Sequence, residues 1–144
     1  FLPPFFYFLM WYSSSIGHTT DQRIFRWTQS ILDNLSHDWT IEEMADAFDL
    51  SVSHFGKLFK REIGMPPTAW LHDQRLEKFA ELLLTTYQPI KVIGFKTGLK
   101  DVSHLTRDFK KKFGMTPTEY RKHHAEIEQS KSQIWTQMIV FARK

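Results

Sequence analysis

A nine-residue segment occurs twice in this chain of 144 residues, fifty positions apart. Residues 53–61 read SHFGKLFKR, and residues 103–111 read SHLTRDFKK. The Gly-Met pair that follows the first copy returns after the second, as does Pro67, which returns as Pro117. A solenoid needs at least three repeats to be stable, so two copies predict a fold built of two similar units instead.

Each copy predicts a short helix, a tight turn and a second helix, which is the arrangement of a helix-turn-helix unit. Ile41, Met44 and Ala45 precede the first copy, and Ile90, Ile93 and Gly94 precede the second. The step from Ala45 to Ser53 is eight residues and that from Gly94 to Ser103 is nine, so one turn residue is added in the second unit. We find no alternating strand pattern, and we therefore expect an all-α fold.

Local signals set the expected helix limits. Residues 21–35 carry one apolar stripe, and T-I-E-E at residues 40–43 predicts a capping box. Ser51 and Ser53 are alternative caps of the next helix, and Gly64 ends it. Pro66-Pro67-Thr68 opens a long helix to about Thr86, whose broad apolar face we expect to consist of Trp70, Leu71, Gln74, Leu76, Phe79, Ala80, Leu83 and Leu84.

The second helix of each unit predicts a DNA-reading face. Periodicity turns apolar residues inward and leaves small polar residues and cations outward, a pattern that suits the major groove. Either helix alone is also consistent with an ordinary exposed amphipathic helix, but two copies in register favour DNA. The surrounding charge agrees, because residues 102–124 carry six Lys or Arg against two Asp or Glu, whereas residues 21–50 carry two against seven.

The sequence resembles the AraC/XylS transcription regulators of bacteria over residues 23–124. The resemblance rests on TIEEMADAFDLSVSHFGKLFKREIGM, on RLEKFAELL, and on IKVIGFKTGLKDVSHLTRDFKKKFGMTPTEYR. It implies two homeodomain-like three-helix units, at residues 21–67 and 87–124, joined by a linker helix at residues 68–86. One chain would then bind two successive major grooves of double-stranded DNA, most often as an activator acting in the cytoplasm on the nucleoid.

The resemblance and the outward pattern together give the residues expected to contact DNA. These are Ser51, Val52, Ser53, Gly56, Lys57, Lys60 and Arg61 in the first unit, and Val102, Ser103, Thr106, Arg107, Lys110 and Lys111 in the second. We expect Lys60, Arg61, Lys110, Lys111 and Lys112 to contact mainly phosphates. Gly94 departs from the Ala usual in the family, and we expect it to loosen its helix by about 1 kcal/mol.

The sequences of the two chain ends give less specific predictions. Residues 1–20 carry no Asp, Glu, Lys or Arg and begin FLPPFFYFLMWY, which is too short for a membrane-spanning helix and is interrupted by Pro3-Pro4. We interpret them as a strand or aromatic wrap, with the remnant of an upstream effector or dimerisation domain, or of a membrane helix, as alternatives. Residues 125–144 predict a further amphipathic helix that packs on the domain itself or forms a partner surface.

Other classes of protein fit less well. The chain has no Cys, no Gly-rich phosphate loop and no Ser-His-Asp arrangement, and its His pairs lack a ligand set, so we expect no catalytic site, no metal and no cofactor. A helical protein-interaction module and the DNA-binding output domain of a membrane-bound sensor stay open as alternatives. The acidic surface around residues 38–49 is a candidate contact for RNA polymerase.

Overall fold

A computed structural model describes residues 22–143, and the expectations for residues 1–20 lie outside that range. Within it the chain forms seven helices and no strand, so the all-α prediction is confirmed. They are α1 (Gln22–Leu32), α2 (Ile41–Asp46), α3 (Val52–Ile63), α4 (Pro67–Thr85), α5 (Ile90–Lys96), α6 (Val102–Phe113) and α7 (Pro117–Ala142). None of these helices is long and apolar enough to cross a bilayer.

The first unit packs α1, α2 and α3 around an aromatic centre. The Trp27 ring meets Phe48, Phe55 and Phe59 edge to face, with ring centroids 5.5, 5.6 and 5.9 Å apart. Edge-to-face pairs of this kind add to the burial of apolar area. Ile24, Ile31, Met44, Phe55 and Phe59 are completely buried in this core.

The second unit repeats that plan with smaller aromatic content. Its core contains Ile93 of α5, Leu105 and Phe109 of α6 and Tyr120 of α7. Phe109 contacts Phe79 and Tyr120 edge to face at 5.5 and 5.3 Å between ring centroids. Burial raises the pKa of the Tyr120 phenol, as expected for a hydroxyl at the edge of an apolar core.

Helix α4 belongs to both cores and therefore joins the two units. Its first turns place Trp70 and Leu71 in the first core, and the rest of the helix places Leu76, Phe79, Ala80 and Leu83 in the second. The expected apolar face was too broad, because Leu84 is exposed and Gln74 is only half-buried. At 1.5 Å per residue, the 19 residues of α4 span about 28 Å.

The two helix-turn-helix turns share a left-handed residue and differ by one insertion. Asp49 has φ 55° and Gly98 has φ 79° at the same step of the turn. The next N–H then returns to the preceding helix, from Leu50 to the Ala45 carbonyl and from Leu99 to the Gly94 carbonyl. Because Ser51 caps α3 directly after Leu50, whereas Asp101 caps α6 two residues after Leu99, the added residue of the second turn is Lys100.

Gly94 has a packing reason that the sequence does not reveal. A Cβ built at Gly94 would lie 2.6 Å from the Leu99 backbone carbonyl oxygen, closer than real Cβ contacts come. The turn after α5 therefore closes directly over this position. Gly94 is expected to loosen its helix, but the methyl group of Ala at this position would displace the turn backbone.

Contacts across α4 hold the second unit against the first. The Arg75 guanidinium donates from Nε to the Leu35 carbonyl oxygen at 3.0 Å and from Nη2 to that of His37 at 2.6 Å. Gly98 lies so close that a Cβ there would be 2.6 Å from the same Leu35 oxygen. The inserted Lys100 donates to both carboxylate oxygens of Asp38, at 2.8 and 2.6 Å. We call Arg75, Gly98, Lys100 and the loop of residues 35–38 the inter-unit clamp.

Helix ends follow the predicted signals with two adjustments. Gly64 ends α3 in a left-handed conformation as expected, and Ser51 rather than Ser53 caps its start. At α2 the Thr40 hydroxyl accepts from the Glu43 N–H, but the Glu43 carboxylate contacts His37 at 2.9 Å. The full capping box occurs instead at α7, between Thr116 and Glu119. Residues 125–142 continue α7 as helix, and from Ile134 onward the helix does not pack on the domain, since its large apolar side chains there are more than half exposed.

Candidate nucleic-acid interface

The recognition helices α3 and α6 present the same face in the same register. The same positions are buried, half-buried and exposed from residue 51 to 60 as from residue 101 to 110. Phe55 and Phe59 anchor α3, and Leu105 and Phe109 anchor α6 at positions fifty residues later. Each helix is thereby fixed by two buried side chains, which leaves the opposite side to solvent along its full length.

The first turns of α3 carry short side chains on their outward face. Ser53 is exposed, and a Cβ at Gly56 would meet nothing within 4 Å, so this helix surface admits close approach by a partner. Lys57 is exposed in the next turn. The Ser51 hydroxyl accepts the His54 N–H at 3.2 Å, and Val52 beside it is 41% exposed.

The outward face of α6 carries larger side chains than that of α3. The Asp101 carboxylate accepts the His104 N–H at 2.9 Å, and this backbone hydrogen bond holds the pKa of that carboxyl below its ordinary value. Val102 is 38% exposed beside Ser103. The Thr106 hydroxyl donates back to the Val102 carbonyl at 2.8 Å, which fixes its side chain on the helix.

Arg107 is the most distinctive group on this face. Its side chain is 69% exposed, and its Nε lies 3.3 Å from an Asp108 carboxylate oxygen, a long and poorly buried pair. The other Asp108 oxygen lies 3.1 Å from Nε2 of His72 on α4. Asp108 is therefore held by the scaffold, and Arg107 can leave it for another acceptor without abandoning a strong pair.

Four lysines complete the basic surface of the two helices. Lys57, Lys60, Lys110 and Lys111 are exposed, and no carboxylate from residues 22–143 lies within 4.0 Å of their ammonium groups. Arg61 is also exposed but contacts the neighbouring Glu62 at 2.8 Å. The thirteen expected contact residues thus lie at the starts and along the outward sides of α3 and α6.

Lys112 does not belong to this surface. Its ammonium group contacts Asp73 and lies 2.6 Å from a Glu77 oxygen, and its side chain is only 24% exposed. Both carboxylates come from α4, so Lys112 ties the recognition helix to the central helix. The expectation that Lys112 contacts phosphate is wrong for this reason.

Periodicity gives no signal for the groups that orient the two helices. Lys112, His72 and Arg75 all connect α4 to other elements, and only the nine-residue step in the second copy signalled the turn insertion that became Lys100. Among the described residues no group of three or more His, Asp or Glu side chains forms a metal-binding cluster.

Known proteins share this arrangement. A family model described as a helix-turn-helix domain matches residues 44–123, which is more than half of the chain and includes both recognition helices. The arabinose operon regulatory protein of Escherichia coli (strain K12) is 33% identical over 110 residues, which are 76% of this chain and 38% of that protein. The chain belongs to the AraC/XylS family of transcription regulators.

Further AraC/XylS relatives show the same partial coverage. The transcriptional activator NphR of a Rhodococcus species is 38% identical over 101 residues, 69% of this chain and 30% of that protein. The chain thus spans about a third of the length of the curated relatives that it matches.

Solved structures share the fold of this AraC/XylS domain. The C-terminal domain of the response regulator AraT from Geobacillus stearothermophilus has a TM-score of 0.67 at 31% identity and covers 74% of this chain and 88% of that one. The DNA-binding domain of AdpA, solved in complex with a target DNA, has a TM-score of 0.65 at 24% identity, covering 67% and 87%. At that identity the AdpA likeness concerns the fold alone.

Proposed function

We propose that this chain is the sequence-specific DNA-binding domain of a transcription regulator and that it reads two successive major grooves. The observation that carries the proposal is the pair of recognition helices with matching outward faces, fixed to one shared helix. The length of α4, about 28 Å, is close to the ~34 Å that separate successive grooves on one side of DNA. The domain binds DNA and performs no chemistry.

Base reading is assigned to the small and forked side chains at the starts of the two helices. Ser53 and Gly56 allow close approach in the first groove, where Lys57 supplies a point charge. In the second groove Val102 contacts a thymine methyl, and Ser103 and Thr106 lie beside it. Arg107 has the planar fork that matches guanine O6 and N7.

Backbone contacts are assigned to the cations further along each helix. Lys60, Arg61, Lys110 and Lys111 hold phosphates, which fix the register of the domain without adding sequence information. The Ser51 hydroxyl and the exposed N-terminal turns of both helices add uncharged contacts to the same backbone.

Transcriptional activation is the direction of regulation that we infer, because NphR carries the name of an activator. An upstream effector or dimerisation domain, which the resemblance to the family implies, stays a prediction. Contact with RNA polymerase through the acidic residues 38–49 stays a prediction.

The salt dependence of binding tests the proposal. Replacing Lys60 or Lys110 by Ala should weaken binding to every DNA sequence alike and reduce the slope of log affinity against log salt by roughly one. Lys78→Ala, which removes an exposed cation paired with Glu81 on α4, is the control and should leave the slope unchanged. An affinity that ignores salt, or no affinity for DNA at all, would favour the alternative of a helical protein-interaction module.

A further inference from the structure

The last four turns of α7 expose an apolar stripe that leads away from the domain. Ile134, Trp135, Met138 and Ile139 are 57%, 63%, 56% and 53% exposed, and Phe141 is 83% exposed. At 100° per residue these side chains, together with Ile127 and Lys131, cover about 160° of the helix. We call this surface the α7 stripe. Helices in proteins are stabilised mostly by packing of an apolar face, whereas the large side chains of the α7 stripe from Ile134 onward are more than half exposed.

The spacing along the α7 stripe fits a second helix. His124, Ile127, Lys131, Ile134, Met138 and Phe141 follow one another at intervals of 3, 4, 3, 4 and 3 residues. Alternation of three and four is the seam of a two-helix coiled coil. The series reads the same in both directions about a point between Lys131 and Ile134, so it matches an antiparallel copy of itself.

A groove at the near end of the α7 stripe supplies the complementary shape. It has a volume of about 550 Å³ and lies between the end of α4 and the middle of α7, lined by Leu84, Tyr87, His124 and Ile127 among others. Leu84 is 37% exposed and Tyr87 fully exposed, although both are large apolar groups. In the antiparallel register Phe141 of a second copy lies opposite His124 and therefore enters this groove.

We propose that the α7 stripe is a homodimer interface in which two copies of α7 pack antiparallel. The register pairs Ile127 with Met138, and Lys131 with Ile134, across the twofold axis. A parallel pair would instead set Phe141 against Phe141 and leave both grooves empty. This surface is separate from the DNA face proposed above, and neither proposal depends on the other.

Charge and area are consistent with two copies. Residues 124–143 carry Glu126 and Glu128 against Lys131 and Arg143, so the segment has no net charge, and the Lys131 ammonium near the twofold axis keeps its own Glu128 partner at 2.9 Å. Five large side chains, each more than half exposed, place the patch at the upper end of the ~300–600 Å² found on typical monomers. Two such faces together reach about 1,200 Å², the lower limit of a stable interface.

A pair of matched variants tests the interface by sedimentation equilibrium of the whole chain. Ile134→Asp places a charge at the centre of the α7 stripe and should raise the dimer dissociation constant at least tenfold. Val140 is 55% exposed, almost the same as Ile134, but lies on the opposite side of the helix, so Val140→Asp should change the constant less than twofold. Circular dichroism and the thermal unfolding midpoint check that both variants fold.

Crosslinking tests the direction of packing. The chain has no Cys, so single introduced thiols are unambiguous. A mixture of the Ile127→Cys and Met138→Cys variants should form the mixed disulfide in excess over either homodisulfide, because only the antiparallel register brings these positions within disulfide reach. The proposal is overturned by a monomer at concentrations up to about 1 mM, by equal dimerisation of the two Asp variants, or by homodisulfides in excess. A monomeric result would leave the α7 stripe to a different protein.

Discussion

At the scale of single residues, the equivalent positions Lys57 and Arg107 give the two recognition helices cations of different geometry. Arg107→Ala should cost about 1–3 kcal/mol of binding free energy and relax the preference at one base pair, because a bidentate contact to guanine is lost. Lys57→Ala should lower affinity with less loss of selectivity, since an ammonium group acts as a point charge. Selection of binding sites from random DNA with each variant measures both effects.

The neighbouring carboxylate provides the control for that experiment. In the free protein Arg107 lies beside the Asp108 carboxylate. Asp108→Asn removes the charge of that neighbour but keeps Arg107, and it should therefore keep the selected motif. If Arg107→Ala selects the same motif as the unmodified chain with uniformly weaker binding, Arg107 holds a phosphate and the base-reading role is wrong.

Replacement by Ala should change the stability of the domain in opposite directions at Gly56, on the outward side of α3, and at Gly94, on the inward side of α5. Gly94→Ala should destabilise the domain by about 1–3 kcal/mol, because the new methyl group overlaps the Leu99 carbonyl. Gly56→Ala should stabilise it by up to about 1 kcal/mol, since the space around it is open and Ala favours helix. Urea unfolding of both variants measures the free energies. A stabilising Gly94→Ala would mean that the turn after α5 can move away at no cost.

The outward positions of α3 and α6 can be predicted from the sequence because they follow from periodicity alone. The buried pairs Phe55 and Phe59, and Leu105 and Phe109, fix which side of each helix is outward, and no tertiary information is needed. Prediction from the sequence fails where a contact joins segments that are distant along the chain. In sequence Lys112 is one of three consecutive lysines, and only its α4 partners distinguish it from the outward cations. Gly94 is a poor helix residue by propensity, and only the nearby Leu99 carbonyl explains it.

At the scale of elements, α4 and the inter-unit clamp determine how the recognition helices stand to one another. The Arg75 guanidinium is half-buried, and this burial lowers its pKa although the group stays charged at neutral pH. The two carbonyls that it satisfies belong to the loop between α1 and α2. Arg121 does the same in the second unit, where it donates to the carbonyls of Leu83 and Gln88 at 3.0 and 2.8 Å.

Loosening the inter-unit clamp should make the domain tolerant of altered groove spacing. Arg75→Met removes both donors and should destabilise the domain by about 1–3 kcal/mol, because two carbonyls lose their partner. It should also reduce the preference for the natural site over one with a single base pair inserted between the two half-sites. Lys100→Ala should change spacing preference in the same direction with little loss of stability, since exposed ion pairs contribute weakly.

Competition binding with the two DNA sites measures that preference. Arg121→Met, which acts within one unit, is the control and should alter stability without altering spacing preference. If both arginine variants keep the full spacing preference, then α4 alone sets the geometry and the clamp has no orienting role.

At the scale of the whole molecule, the two units are alike in plan and unlike in their reading faces. The outward face of α3 has no side chain at Gly56 and open space around it, whereas the outward face of α6 carries the side chains of Thr106 and Arg107. A single chain therefore should recognise a site without twofold symmetry. This distinguishes tandem units within one chain from helix-turn-helix proteins that dimerise on palindromes.

One chain should occupy two adjacent major grooves of such an asymmetric site. At protein concentrations below the dimer dissociation constant, the footprint should cover both half-sites, and scrambling either half should weaken binding without changing the stoichiometry of one chain per site. The Ile134→Asp variant separates DNA binding by one chain from association through α7. Its substitution weakens the proposed dimer and lies on the C-terminal part of α7, outside the recognition helices α3 and α6. Binding that requires a palindrome and two chains in that variant would contradict a self-sufficient tandem reader. Equal affinity for intact and half-scrambled sites would mean that only one unit reads bases.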